Sequence, residues 1–118
     1  MTGFTLVATV KIKPGKAVDF ASTAKALVAW VKDNEPYVDS YNVYEDGDTA
    51  AFVDHYVDDD AFMAHMSSKA GTELLPACLA NADIVQVQTF GATSEEVAQT
   101  LKGFHAQQFG APLASAGR

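Results

Sequence analysis

An α+β fold with an antiparallel sheet is the class this sequence predicts, and three observations carry the prediction. Stretches with a two-residue apolar period and stretches with helical spacing follow one another as strand, helix, strand, strand, helix, strand. Asp46-Gly47 stands between the second and third strands as a tight hairpin turn. The chain has 118 residues, 48% hydrophobic and 19% charged, the size and composition of one globular domain. This order is the split βαβ pattern, a ferredoxin-like sandwich with its helices over one face of the sheet.

In the first strand Phe4, Leu6, Ala8, Val10 and Ile12 alternate with Thr5, Val7, Thr9 and Lys11. Pro14-Gly15 stops it, and Pro14 also suits the start of a helix. From Lys16 the spacing changes: Phe20, Ala24, Leu27 and Val31 fall on one helical face. Asn34-Glu35-Pro36 ends this helix, because the residue before a proline is pushed out of the helical region. Tyr37 to Glu45 and Ala50 to Val57 form the hairpin strands.

Asp58, Asp59 and Asp60 precede the apolar segment Ala61 to Met66 and suit a helix N-terminus, where free amides favour negative charge. Ser67-Ser68 offers a fresh cap for a second piece reaching Leu74-Leu75, with Pro76 as a kink or break. Asp83 to Phe90 returns to the strand pattern. After Gly91, Thr93 or Ser94 with Glu95-Glu96 caps a helix running to about His105, and the small-residue tail QQFGAPLASAGR is extended. Residues 1–91 are thus expected to form one ferredoxin-like domain. Residues 92–118 form a helix-and-tail extension, expected to dock on a neighbouring subunit through Phe104 and Phe109.

The third strand is apolar on both sides: Ala51, Val53 and Val57 on one, Ala50, Phe52 and Tyr56 on the other. A two-layer sandwich needs one apolar face. The second face is therefore expected to meet another copy, giving a homodimer, with a tetramer left open.

Charge and cysteine usage exclude several functions of this fold. The net charge of −7 argues against a nucleic-acid partner. It is uneven: residues 1–32 carry +4, residues 33–68 carry −10, and residues 69–118 carry −1. The positive third is expected beside the negative middle. One cysteine, Cys78, rules out an internal disulfide framework and a clustered-cysteine iron–sulfur site. The sole arginine, Arg118, leaves no phosphate cradle, and no glycine-rich phosphate loop is present. No apolar run approaches the ~20 residues that span a bilayer, and no signal-peptide layout opens the chain, so a cytoplasmic location without membrane contact is expected.

The stretches ATVKIKPGKAVDF, YVDSYNVYEDGD and FVDHYVDDDAFMAHMSS resemble the antibiotic biosynthesis monooxygenase superfamily over about residues 4–90. The most specific part is Tyr56, then Asp58 to Asp60, then Ala61, Phe62 and His65 at helical spacing. The resemblance implies a dimeric α/β barrel with a cleft between helices and sheet in each subunit. It implies oxidation of a quinol or a phenolic or polycyclic small molecule by molecular oxygen without flavin, haem, metal or any other cofactor. An isomerase of a small carbonyl metabolite and a non-catalytic ligand-binding or stress-response dimer are the alternatives on the same scaffold. The haem-degrading branch carries an iron-binding histidine where Leu75 stands here, so haem is not expected.

Such chemistry needs a dry pocket, a base for the hydroxyl proton and donors for developing oxygen anions. His65 is the candidate base, one position off the Phe62/Met66 stripe and so expected at the cleft lip; the alternative is a histidine that closes the structure by bonding the sheet. Asp54 shares a strand face with Phe52 and Tyr56 and is expected to orient His65 or a substrate hydroxyl, or else to be a buried acid with a neighbouring donor. Tyr41, Asn42, Phe52, Tyr56, Phe62 and Trp30 are the candidate substrate-lining residues, with core packing as the alternative for the aromatic ones. His55 points away from Asp54 by strand alternation, and Cys78 reads as a buried, inert thiol.

Overall fold

The computed structural model describes residues 3–117. The elements are β1 (Phe4–Ile12), α1 (Ala17–Asn34), β2 (Val38–Asp46), β3 (Thr49–Tyr56), α2 (Asp59–Ser67), a π-helical turn (Ala70–Leu74), α3 (Leu75–Leu79), β4 (Ala82–Phe90), α4 (Glu95–Lys102) and β5 (Gln107–Phe109). The sheet order is β2-β3-β1-β4-β5. Its first four strands are antiparallel in the ferredoxin-like arrangement, and β5 adds a short parallel strand on the edge of β4.

The apolar periods fold as their spacing predicts. Phe20, Ala24, Leu27 and Val31 are the buried residues of α1. Asp58 caps α2, its side chain accepting from the Ala61 N–H at 2.8 Å, which satisfies one free amide of the first turn. Ser68 caps the next piece, its Oγ accepting from the Ala70 N–H at 3.1 Å. Pro76 does not break this piece. It sits in the first turn of α3, where a proline's missing N–H is tolerated, and the strain is taken up just before it by the π turn, in which the Leu75 N–H donates to the Ala70 carbonyl.

Two bulges decide which side chains face the helices. Between Val38 and Ser40 the register of β2 slips, so Val38 and Tyr41 both turn inward although they are three apart. A second slip, where Thr9 and Val10 of β1 pair with Gln86 and Ile84, does the same for Ile84 and Val87. One row across the helix-covered face then reads Tyr41, Asp54, Leu6, Thr89, and the next reads Val43, Phe52, Ala8, Val87. On the opposite face Thr5, Val7, Thr9, Ala51, Val53 and His55 are only half-buried, and His55 Nδ1 pairs with Thr5 Oγ1 at 3.0 Å.

The extension differs from its expected course. α4 ends at Lys102 rather than near His105, which takes a left-handed conformation with φ 57° as the chain turns into β5. The segment folds back on its own chain. The Ser94 N–H donates to Asp59 Oδ2 at 2.8 Å, Val97 and Leu101 are buried, and Phe109 stacks on Phe90 with ring centres 5.1 Å apart. Phe109 thus meets Phe90 of its own chain, while Phe104 and Phe109 stay 40% and 43% exposed and residues 110–117 are exposed as well. The uneven charge is met in part by an exposed pair, Lys11 with Asp48 at 3.6 Å, and two carboxyl groups of the acidic stretch, Glu35 and Asp54, are buried.

Gly71 makes the tightest approach beside the site. A Cβ there would stand 2.2 Å from the Met66 carbonyl oxygen, so only glycine lets the π turn lie against the end of α2. Gly71→Ala is expected to destabilise by about 2 kcal/mol, a fall in Tm of roughly 8 °C. A melting temperature within a degree or two of wild type would show that the contact relaxes freely.

Candidate active site

Between the sheet and the helices lies a cavity of about 70 Å³. Its floor is the inward face of the sheet, with Leu6, Ala8, Val10, Phe52, Ile84 and Val87. Phe62, His65 and Met66 of α2 and Leu75 and Leu79 of α3 close it from above. The polar groups, Tyr41, Asp54, Tyr56 and His65, gather over β2 and β3. At the β4 side Ile84 and Phe104 line the cavity yet are 47% and 40% exposed, which makes them its mouth. The β4 edge is open there because β5 pairs only with Gln88 to Phe90.

Asp54 is 3% exposed. Its Oδ2 accepts from the Tyr56 hydroxyl at 2.5 Å, while Oδ1 has no hydrogen-bond partner among the described residues. Burial pushes this carboxyl up to about 7, with the Tyr56 hydrogen bond pulling the other way. Burial, and then the nearby Asp54, raises the hydroxyls of Tyr41 and Tyr56 well above the usual phenol range, so both remain neutral donors.

His65 is not at the lip but in the wall, buried to 1%. Its ring lies against those of Tyr41 and Tyr56, with centres 5.1 and 5.6 Å away. Asp54, bonded to Tyr56, does not orient it. Glu35 does, with Oε1 2.7 Å from His65 Nδ1. Glu35 is itself 2% exposed and accepts a second bond at Oε2 from the Tyr37 hydroxyl at 2.8 Å. Burial, then this bond to Glu35, holds the Tyr37 hydroxyl up at about 12.

The structure thus brings together six of the eight residues singled out by sequence: His65, Asp54, Tyr41, Phe52, Tyr56 and Phe62. It does not bring in Trp30 or Asn42. Trp30 is half-buried on α1 and packs against the core away from the cavity. Asn42 follows Tyr41 in β2, and strand alternation turns it to the exposed side. Glu35 was invisible as a site residue. In the sequence it is a helix-ending residue before Pro36, and the same constraint that ends α1 turns its backbone to φ −126° and its side chain inward. Cys78 is buried as expected, and burial raises its thiol.

Fold and cavity together define a ferredoxin-like α+β protein with a buried acid–base pocket. The chain belongs to the antibiotic biosynthesis monooxygenase family, whose model matches residues 3–74. Among solved structures, MupZ from Pseudomonas fluorescens superposes with a TM-score of 0.85 at 17% identity, over 99% of this chain and 96% of its own. A Caulobacter crescentus CB15 protein provisionally named an antibiotic biosynthesis monooxygenase gives 0.68 at 24% identity, over 75% and 87%. Rv0793 from Mycobacterium tuberculosis gives 0.68 at 15% identity, over 80% and 98%. The near-complete match to MupZ takes in the C-terminal extension. No curated protein matches the chain. Among the described residues no helix is long and apolar enough to cross a membrane.

Proposed function

We propose that this protein is a cofactor-independent monooxygenase acting on a phenolic or quinol small molecule. In this reading His65 removes the hydroxyl proton through Nε2, the nitrogen that makes no hydrogen bond with the described residues. The phenolate delivers electrons to molecular oxygen through a hydrogen-bearing ring carbon ortho or para to its oxygen, which in a hydroquinone is an ortho carbon. The O–O bond then breaks, one oxygen stays on the ring as a quinone carbonyl, and the other leaves as water with the hydroxyl and ring hydrogens. Asp54, near half-ionised at neutral pH, offers Oδ1 to the substrate oxygen or to the peroxide that forms.

The observation that carries the reading is the presence of both His65 and a carboxyl pushed up to about 7 in the wall of one largely apolar cavity, in a chain from this family. A cavity of about 70 Å³ is smaller than the ~150 Å³ that holds a benzene. A ring therefore enters only as Ile84 and Phe104 part, which favours monocyclic substrates over polycyclic ones. The half-buried outer face of the sheet is the surface on which a second copy pairs, completing a homodimeric barrel.

The test is oxygen uptake by the metal-stripped protein over a series of hydroquinones and hydroxylated bicyclic compounds. Uptake above the protein-free rate, fastest with single rings, is the expected result. Proton exchange into a carbonyl probe without oxygen uptake would turn the assignment to an isomerase. Ligand retention with neither activity would leave a binding protein.

A further inference from the structure

We infer that Glu35 is the positioning residue of His65 and that Tyr37 in turn fixes Glu35. The inference rests on the reading above that His65 is the base, and it explains how a histidine in an apolar wall presents the correct nitrogen. An imidazole has two nitrogens, and the hydrogen bond made by one decides what the other does. Here Nδ1 is 2.7 Å from Glu35 Oε1 in a spot where both side chains are almost fully buried. A carboxylate only accepts, so Nδ1 holds a proton, and the proton that His65 exchanges with the cavity is the one on Nε2.

The pair is held from both sides. Glu35 is anchored by its own backbone, whose N–H donates to Val31 at 2.8 Å and whose carbonyl accepts from Val38 at 3.0 Å. Its second oxygen is taken by Tyr37 at 2.8 Å, so the carboxyl cannot rotate away without losing that bond. The rings of Tyr41 and Tyr56 flank the imidazole. Asp54, the other acid facing the cavity, is bonded to Tyr56 and leaves His65 to Glu35. When the substrate hydroxyl gives its proton to Nε2, the imidazolium charge forms against the Glu35 carboxylate. The Nδ1 proton stays on the ring, and none passes to Glu35.

The tautomer can be read without a substrate, by nitrogen-15 NMR of the neutral His65 ring in wild type, Glu35→Gln and Glu35→Leu. Wild type should carry its proton on Nδ1. Glutamine keeps an acceptor oxygen and should keep that tautomer, while leucine should release the proton to Nε2. Wild type protonated on Nε2, or a folded leucine variant unchanged from wild type, overturns the inference. Should the leucine variant fail to fold, the wild-type tautomer decides alone. With an active substrate, Glu35→Gln should lower kcat about tenfold with KM within twofold, because the charge opposite the imidazolium is lost. An unchanged kcat would count against the positioning role. The expected tautomer in a protein that turns over nothing would sustain the Glu35 assignment while removing the monooxygenase reading.

Discussion

Replacing His65 by asparagine is expected to lower kcat/KM for the best phenolic substrate at least a hundredfold, while leaving the fold intact. Asparagine places its amide nitrogen close to where Nδ1 stands, so the bond to Glu35 survives and only Nε2, the nitrogen not bonded to Glu35, is deleted. General-base catalysis is worth about 10²–10⁴ in rate, or roughly 3–5 kcal/mol of transition-state stabilisation. Truncation to alanine is a different experiment. It strands the Glu35 carboxylate in a site where it is 2% exposed, and breaking a buried pair in this way costs about 3–5 kcal/mol. Against a typical total stability of about 5–15 kcal/mol, His65→Ala would confuse lost catalysis with lost folding. Steady-state kinetics beside urea denaturation separates the two. Asparagine retaining more than a tenth of wild-type kcat/KM would remove His65 from the role of base.

The contrast between these variants reflects how much of the site the sequence discloses. The cavity floor is legible because β3 alternates: once Phe52 and Tyr56 are assigned inward, Asp54 must be inward with them. The α2 contribution is legible only in part: helical spacing puts Phe62 and His65 on neighbouring positions of one helix, but the offset from the Phe62/Met66 stripe points to the lip, whereas His65 is buried in the wall. Helix α1 and both hairpin strands fall within a residue or so of their expected bounds for the same reason: period and punctuation agree there.

What the chain conceals is whatever depends on a register slip or a long-range pairing. The bulge at β2 that brings Val38 and Tyr41 to one face breaks the alternation from which a reader would infer it. Glu35 lies 30 residues from His65, and nothing local to either marks the other as its partner. The extension hides its partner too. Phe104 looks like an exposed aromatic in a small-residue tail, yet packing of α4 through Val97 and Leu101 carries it to the mouth of its own cavity. Sequence periodicity registers burial but not the identity of the surface that does the burying.

Asp54 gives the second large effect, on stability against pH. Its folded carboxyl titrates near 7 against 3.8 for the unconstrained group. Between those values the folded protein holds a proton that the unfolded chain has released, so stability falls as pH rises. The contribution is complete below about pH 4 and is lost by about pH 7, amounting to about 4 kcal/mol over the window at 1.36 kcal/mol per unit. Asp54→Asn removes the titration. The amide oxygen can still accept from Tyr56, but the amide nitrogen takes the place of the unpartnered Oδ1 and costs about 1–3 kcal/mol of unmet hydrogen bonding. The variant should therefore be more stable than wild type by about 2 kcal/mol at pH 8 and less stable by about 2 kcal/mol at pH 4. Urea midpoints at the two pH values measure the crossing. A wild-type curve that stays level from pH 4 to 8 would mean that Asp54 is ionised in the folded state throughout. If the crossing occurs and the variant also loses activity, the folded protein is holding a destabilising carboxyl in an apolar cavity for its chemistry, which is where natural chains sacrifice stability for function.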